Sequence, residues 1–162
     1  MSSNLFVKLG LSSLMVIVST GLALGDSKNY AKQLELKNCG GYTIGKIVLQ
    51  RKAAGGGNWA LVKEWSWIGD NLTNGITFCV DVSGYSQFKK GDQARLKAYI
   101  DAGETKTCDA TNYGESNKPR RKMEMSGTTT LSNACRSQNY KSARPASQCE
   151  ATGTYHYEGL CS

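Results

Sequence analysis

A glycine-rich turn between two apolar runs constrains the fold of this chain more than any other feature. Residues 44–49 are rich in isoleucine, valine and leucine, and residues 53–58 that follow them are alanine, glycine and asparagine. A second apolar run spans residues 59–67 and contains all three tryptophans of the protein. Two apolar runs joined by a short glycine-containing segment are typical of a β-hairpin. We therefore predict a hairpin across residues 42–68.

Other segments alternate apolar and polar residues, which is the pattern of half-buried strands. No amphipathic helix is evident after the N-terminal region, and residues 109–119 lack any periodicity, so a long loop is predicted there. Short strands separated by turn residues favour an all-β, single-domain antiparallel β-sandwich over a barrel. Beside the hairpin, the predicted strands are 33–39, 76–83, 94–100, 105–108 and 122–131.

The N-terminal segment has the pattern of a secretory signal peptide. Lys8 is the only charged residue in 1–25, an apolar stretch follows it, and small residues precede the expected cleavage point. A membrane anchor is the alternative, but the apolar stretch is shorter than the roughly 20 residues that span a bilayer. The predicted organisation is a signal peptide at 1–25, a β-sandwich at 26–135 and a cysteine-containing polar tail at 136–162. Export to the extracellular space, or to the periplasm in a Gram-negative bacterium, follows.

The six cysteines all lie after the predicted signal peptide, and an even number in an exported chain predicts three disulfides. The spacing does not select a pairing, but Cys39–Cys135, Cys79–Cys108 and Cys149–Cys161 would join the first and last predicted strands and close a loop in the tail. No C-x-x-C pair is present, and the chain has a single histidine, so neither a metal site nor a cofactor is predicted. The cysteines are Cys39, Cys79, Cys108, Cys135, Cys149 and Cys161.

Few residues have the types and settings that common catalytic mechanisms use. His156 is the only histidine available to a Ser-His or Cys-His arrangement, and no G-x-S-x-G or phosphate-binding loop is present. A glycosidase-like carboxylate pair needs a defined separation across a cleft, which a sequence does not supply. We therefore predict a non-catalytic protein, with a small secreted hydrolase as one alternative. Its candidate carboxylates would be Glu35, Glu64, Asp70, Asp81, Asp101, Glu104 and Glu124.

The three tryptophans are candidate ligand-binding residues. Trp59, Trp65 and Trp67 are separated by even intervals, so in an unbroken strand they share one face. An exposed aromatic row would stack against sugar rings. The alternative is that these large side chains fill the core of the sandwich.

A basic cluster supplies the second set of candidate binding residues, Arg120, Arg121 and Lys122. Arginine grips phosphate or carboxylate groups at two points, so the cluster would suit an acidic partner. The alternative is an ordinary solvated run of charge. Nucleic acid is disfavoured because aromatic residues do not alternate with these charges.

The overall charge is basic: removal of residues 1–25 lowers the formal net charge from +7 to +6. These features predict a secreted binding protein that recognises a glycan or an acidic component of a cell surface. A membrane-active or toxin-like effector is the main alternative, in which cations meet anionic lipid and tryptophans enter the headgroup layer. Asn71 begins a glycosylation sequon that has meaning in a eukaryotic source.

Overall fold

Two β-sheets pack face to face in the computed structural model, which describes residues 30–67, 72–101, 105–127 and 135–161. The predicted single-domain, all-β sandwich is confirmed. The predicted signal peptide and the sequon residue Asn71 lie outside the described residues, as do Asp70 and Glu104.

The first sheet has the strand order β1-β8-β6-β3-β4, and β7 pairs with β6 beside this path. The predicted hairpin is confirmed, since its two strands, β3 and β4, pair in antiparallel fashion. The predicted loop at 109–119 differs from the structure, because β8 forms within it and pairs with both β6 and β1. The bounds are β1 Tyr30–Ala31, β3 Ile44–Lys52, β4 Ala60–Ser66, β6 Gln93–Ile100, β7 Thr105–Thr107 and β8 Thr111–Tyr113.

The second sheet has the order β10-β9-β2-β5-β11. Most neighbours are antiparallel, but β2 and β9 run parallel, as do β1 and β8 in the first sheet. Two 3₁₀ turns, Val82–Gly84 and Ala146–Gln148, lie outside the sheets. The bounds are β2 Gln33–Asn38, β5 Ile76–Asp81, β9 Arg120–Met125, β10 Cys135–Tyr140 and β11 Thr154–Tyr157.

The core lies between the two sheets and is built by alternate residues of the central strands. In β6 every second residue, from Ala94 to Ile100, is buried, while the residues between them are half-buried. Leu34 of β2, Phe78 of β5 and Met123 of β9 enter the same core from the second sheet. Because strand side chains alternate between faces, the other residues of β6 face away from the core.

The C-terminal segment is part of the sandwich rather than a separate appendage. The sequence predicts a polar tail at 136–162, a segment that holds few aliphatic residues to pack. In the structure it supplies β11 and most of β10, which are the two edge strands of the second sheet. Backbone pairing with β9 and β5 thus places the segment without a large apolar surface.

All six cysteines form three disulfides, but each predicted pairing is wrong. The observed pairs are Cys39–Cys161, Cys79–Cys149 and Cys108–Cys135, with Cα–Cα distances of 5.3, 4.9 and 5.5 Å. The prediction failed because it treated the C-terminal segment as self-contained. That segment instead folds back along β5, so its cysteines meet partners far away in sequence.

Candidate functional site

The outer face of the first sheet combines cationic and aromatic side chains. Arg95, Lys97 and Tyr99 occupy the positions of β6 that alternate with its buried residues. Lys46 of β3 pairs with Tyr99 across the sheet, and Gln50 pairs with Arg95. We call the following set the basic–aromatic face: Lys46, Lys52, Trp59, Arg95, Lys97 and Tyr99.

Cation–π contacts organise the basic–aromatic face. The guanidinium carbon of Arg95 lies 3.9 Å from the centre of the Trp59 ring, and Arg95 Nε donates to Gln50 Oε1 at 2.9 Å. Lys46 Nζ and Lys97 Nζ lie 4.1 and 5.3 Å from the centre of the Tyr99 ring. Such contacts attract a cation to the face of the ring and keep its charge close to an aromatic surface.

The charge of this face is predominantly positive. Burial lowers the pKa of Arg95, yet an arginine remains cationic at neutral pH. Glu64 pairs with Lys46 at 3.5 Å, so this carboxylate balances one of the four cations Lys46, Lys52, Arg95 and Lys97. The face can therefore attract anions and offer aromatic rings at the same place.

A β-bulge in β4 places Trp59 on a different face of the sheet from Trp65 and Trp67. Leu49 pairs with Lys63 and Gln50 pairs with Leu61, so Val62 is an extra residue in β4. An extra residue reverses the alternation of side chains beyond it. The single face predicted for the tryptophans is wrong for this reason, and only Trp59 lies on the outer face.

Trp65 and Trp67 pack against the edge of the core. Their rings contact Phe78 edge to face, with centroid distances of 4.9 and 5.6 Å. Trp65 Nε1 also donates to the carbonyl oxygen of Thr152 at 2.5 Å, and Trp67 contacts Tyr155. These two tryptophans join the hairpin to the C-terminal segment and do not form an open stacking surface.

The predicted basic cluster is mostly internal. Arg120 and Arg121 are buried, and Lys122 is nearly so. Arg121 donates to Asn139 and Ser137 of β10, and burial lowers its pKa. These three residues therefore do not present an exposed patch to an acidic partner.

Arg120 and Lys122 instead belong to an ionic network under the C-terminal segment. Glu35 is fully buried and binds Arg120 Nη1 at 2.6 Å and Arg144 Nε at 2.7 Å. Glu158 binds Lys122 Nζ at 3.0 Å and also pairs with Arg144. A buried carboxylate is tolerated only when cations and hydrogen bonds compensate its lost hydration, and both glutamates have such partners.

His156 is part of the same network. Its Nε2 lies 3.1 Å from Glu158 Oε1, and burial and the nearby charge of Arg144 lower its pKa. Ligand atoms of Glu35, His156 and Glu158 lie within 4.8 Å of one another, which is close enough to hold a metal ion. Both carboxylates already bind cationic side chains, however, so the site's charge is satisfied without a metal.

The basic–aromatic face includes residues that are not among the candidates predicted from the sequence. The sequence predicts a strand over Arg95, Lys97 and Tyr99. The alternation of apolar and polar residues along 94–100 is the signal that places these three side chains on one face. Lys46 could be added only from its pairing opposite Tyr99.

A shallow cavity of about 450 Å³ adjoins one end of this face. Lys52 and Gln93, which are paired across β3 and β6, line it together with Ala54, Gly56 and Gly91.

No helix in the described residues is long and apolar enough to cross a membrane.

No protein-family model matches the chain, and no curated protein matches it. Solved structures align with part of it. Pneumolysin aligns at 18% identity and a TM-score of 0.39, covering 68% of this chain and 24% of that chain. Suilysin from Streptococcus suis aligns at 16% identity and a TM-score of 0.36, covering 68% of this chain and 23% of that chain. The membrane-binding domain of pneumolysin aligns at 16% identity and a TM-score of 0.34, covering 65% of this chain and 94% of that domain. The chain thus spans about a quarter of the length of pneumolysin and suilysin. These matches are too distant to assign a function.

Proposed function

We propose that this is an exported, non-catalytic protein that docks on an anionic surface through its basic–aromatic face. The observation that carries the proposal is the pairing of cations with aromatic rings on one outer, half-buried sheet face, with Arg95 3.9 Å above Trp59. Opposite charge draws an anionic surface towards the face, and the rings add contact area at low conformational cost.

The disulfides support export. Three bonds tie the C-terminal segment and β10 to the rest of the sandwich, and such bonds persist in oxidising compartments. A glycan platform made of all three tryptophans loses its support, since Trp65 and Trp67 pack against Phe78. Contact with sugar through Trp59 alone stays compatible with the proposal.

The absence of catalysis is also part of this proposal. The single histidine contacts Glu158 within the ionic network, and Arg144 and Lys122 surround it with positive charge. These partners leave the imidazole in a structural role, so we expect no hydrolase activity from it.

The test measures binding of the full exported protein to two anionic probes, phosphatidylserine vesicles and heparin, and to two neutral ones, phosphatidylcholine vesicles and dextran. We expect binding to the anionic probes that weakens as salt is raised, because salt screens exposed charges. Lys52→Glu with Lys97→Glu should weaken it roughly tenfold or more, since each lysine near an anionic membrane contributes on the order of 1 kcal/mol.

The matched control reverses two exposed lysines outside the face, Lys118 and Lys141, to glutamate. Both double variants change the net charge equally, so the control should retain most of the binding. Equal losses in the two variants would show that net charge, rather than this face, governs binding. A wild-type protein that binds neither of the two anionic probes would refute the proposal.

A further inference from the structure

The tip of the β3–β4 hairpin is exposed and uncharged. Residues 53–58 are alanine, glycine and asparagine, every one of them is exposed, and no charged residue lies between Lys52 and Lys63. Leu61, just beyond the tip, has a relative exposure of 63%. A single exposed leucine is ordinary on a protein surface, so the inference depends on what lies beside Leu61.

Trp59 and Leu61 lie on the same side of β4. Leu61 pairs with Gln50, whose side chain bonds Arg95 on the outer face, and Trp59 stacks on that same arginine. The bulge at Val62 comes after both residues, so it does not separate them. The aromatic ring and the aliphatic side chain therefore lie on one surface.

Cations surround this uncharged tip. Lys52 precedes it directly, and Arg95 lies under Trp59. The loop containing Lys89 and Lys90 is held beside the tip because buried Asp92 accepts hydrogen bonds from the backbone N–H groups of both Lys89 and Ala54, at 2.8 and 3.1 Å. Lys89 and Lys90 are exposed there.

We call Lys52, Lys89, Lys90 and Arg95 the cationic collar. An uncharged tip surrounded by these cations matches the interface of an anionic phospholipid bilayer. Tryptophan is favoured at the depth of the headgroups, and lysine and arginine bind the anionic headgroups around it. A sulfated glycan would satisfy the cations, but its rings would offer Leu61 much less apolar surface than the acyl chains of a lipid. The combination therefore favours lipid over glycan.

The backbone of the tip limits how deep it can go. Between the two strands, Gly56 N–H bonds the carbonyl oxygen of Ala53, and most of the remaining backbone groups depend on solvent. Unpaired backbone groups are costly in hydrocarbon but are satisfied among hydrated headgroups. The tip thus suits shallow, interfacial contact.

We infer that the β3–β4 hairpin tip, with Trp59 and Leu61, inserts into the headgroup region of anionic phospholipid membranes; this inference rests on the anionic-surface function proposed above. The cations of the collar bring the protein to the membrane, and Leu61 and Trp59 then lose contact with water.

The experiment compares Leu61→Asp with Leu160→Asp in the full exported protein. Leu160 is a matched control because it is also an exposed leucine, with a relative exposure of 71%, and it lies outside the hairpin. Each variant is tested on phosphatidylserine-containing vesicles and on heparin. We expect Leu61→Asp to weaken vesicle binding roughly tenfold or more, and heparin binding less, because the added charge repels both probes whereas only vesicle binding loses apolar burial.

A second measurement uses vesicles whose lipids carry bromine at shallow positions of the acyl chains. Wild-type fluorescence should be quenched on binding, and Trp59→Phe should remove most of the quenching because Trp65 and Trp67 pack within the protein.

The possible outcomes separate this inference from the proposed function. Vesicle binding that is unchanged in Leu61→Asp would overturn insertion while leaving anionic docking intact. Equal losses on vesicles and heparin would indicate a glycan or general anionic contact and would also overturn it. A wild-type protein that binds neither probe would refute the proposed function itself.

Discussion

Glu35 and Arg144 are 109 positions apart in sequence, and their side chains are joined by a hydrogen bond of 2.7 Å between Nε and Oε1. Glu35 belongs to the central strand β2, whereas Arg144 lies in the segment between β10 and β11. Arg144 also donates its backbone N–H to Gln33 Oε1 at 2.7 Å. This arginine therefore attaches the C-terminal segment to the outer face of the second sheet.

We expect Glu35→Gln to lower the free energy of unfolding by about 3–5 kcal/mol, because it leaves the buried Arg120 without its carboxylate and Arg144 with Glu158 alone. Chemical denaturation monitored by circular dichroism measures the change. Glu64→Gln, which removes an exposed pair with Lys46, is the control and should cost less than about 1 kcal/mol. Similar losses in the two variants would show that the buried network adds no special stability.

The disulfide Cys79–Cys149 closes a loop between residues 70 positions apart and secures the same segment. Replacing both cysteines by alanine should lower the free energy of unfolding by about 2–5 kcal/mol. Peptide mapping of the unreduced wild-type protein should recover the three observed pairs. Recovery of Cys79 linked to Cys108 would contradict this topology.

Protonation of His156 should weaken the fold at mildly acidic pH. Its pKa is lowered in the folded protein, first by burial and then by Arg144, so the unfolded chain binds the proton more readily. Stability should therefore fall as the pH drops through about 6.5 and should level off below the folded pKa. Denaturation midpoints across this range measure the effect, and His156→Gln should flatten the profile. An unchanged profile in that variant would assign the pH dependence to other groups.

Asp92 should control the placement of the hairpin tip. Burial acts to raise its pKa, but Arg51 and the backbone N–H groups of Lys89 and Ala54 outweigh this effect and lower it. Its contribution to stability is therefore present above its ordinary pKa of about 4 and is lost as the pH falls through the lower, folded value.

We expect Asp92→Asn to cost about 3 kcal/mol, since it leaves Arg51 without its carboxylate partner. Hydrogen exchange should accelerate at the two tip amides that donate hydrogen bonds, those of Ala54 and Gly56. Glu115→Gln, which removes the exposed partner of Lys32, is the control and should leave that exchange unchanged. Unaltered exchange in Asp92→Asn would mean that other contacts hold the tip.

Trp59 and Trp65 should respond differently to substitution by alanine. Trp65 packs against Phe78, so Trp65→Ala should lower the free energy of unfolding by about 3 kcal/mol or more. Trp59→Ala should change stability much less but weaken binding to anionic vesicles. Thermal unfolding together with vesicle sedimentation separates the two effects. A large loss of stability in Trp59→Ala would identify it as a core residue.

The predicted parts of the fold share a local cause. Alternation along residues 94–100 and 33–39 reports which side chains face the core. Strand β6 follows it in its burial, and Leu34 and Leu36 of β2 enter the core as expected. The polar residues of β2 are buried as well, which the sequence pattern of a half-buried strand did not predict. The glycine-rich turn likewise predicted the β3–β4 hairpin, where Gly56 and Gly57 adopt positive φ angles. Such signals arise within a few neighbouring residues and are visible without the rest of the chain.

Strand β8 and the C-terminal edge strands were missed because their local signals are weak. Thr111–Tyr113 and Thr154–Tyr157 are short and carry little aliphatic surface. They become strands because β6 and β5 offer unpaired backbone edges to them. Pairing partners of this kind are supplied by tertiary structure and override weak local propensity.

The sequence by itself determined the all-β class, the hairpin and the formation of three disulfides, since these depend on composition and local alternation. Tertiary structure decided which cysteines pair, because the C-terminal segment returns along β5 to bring Cys149 to Cys79. It also decided which tryptophan faces outward, because the extra residue at Val62 appears only when β4 is aligned with β3. The candidate site depends on that alignment, which the sequence of either strand alone does not reveal.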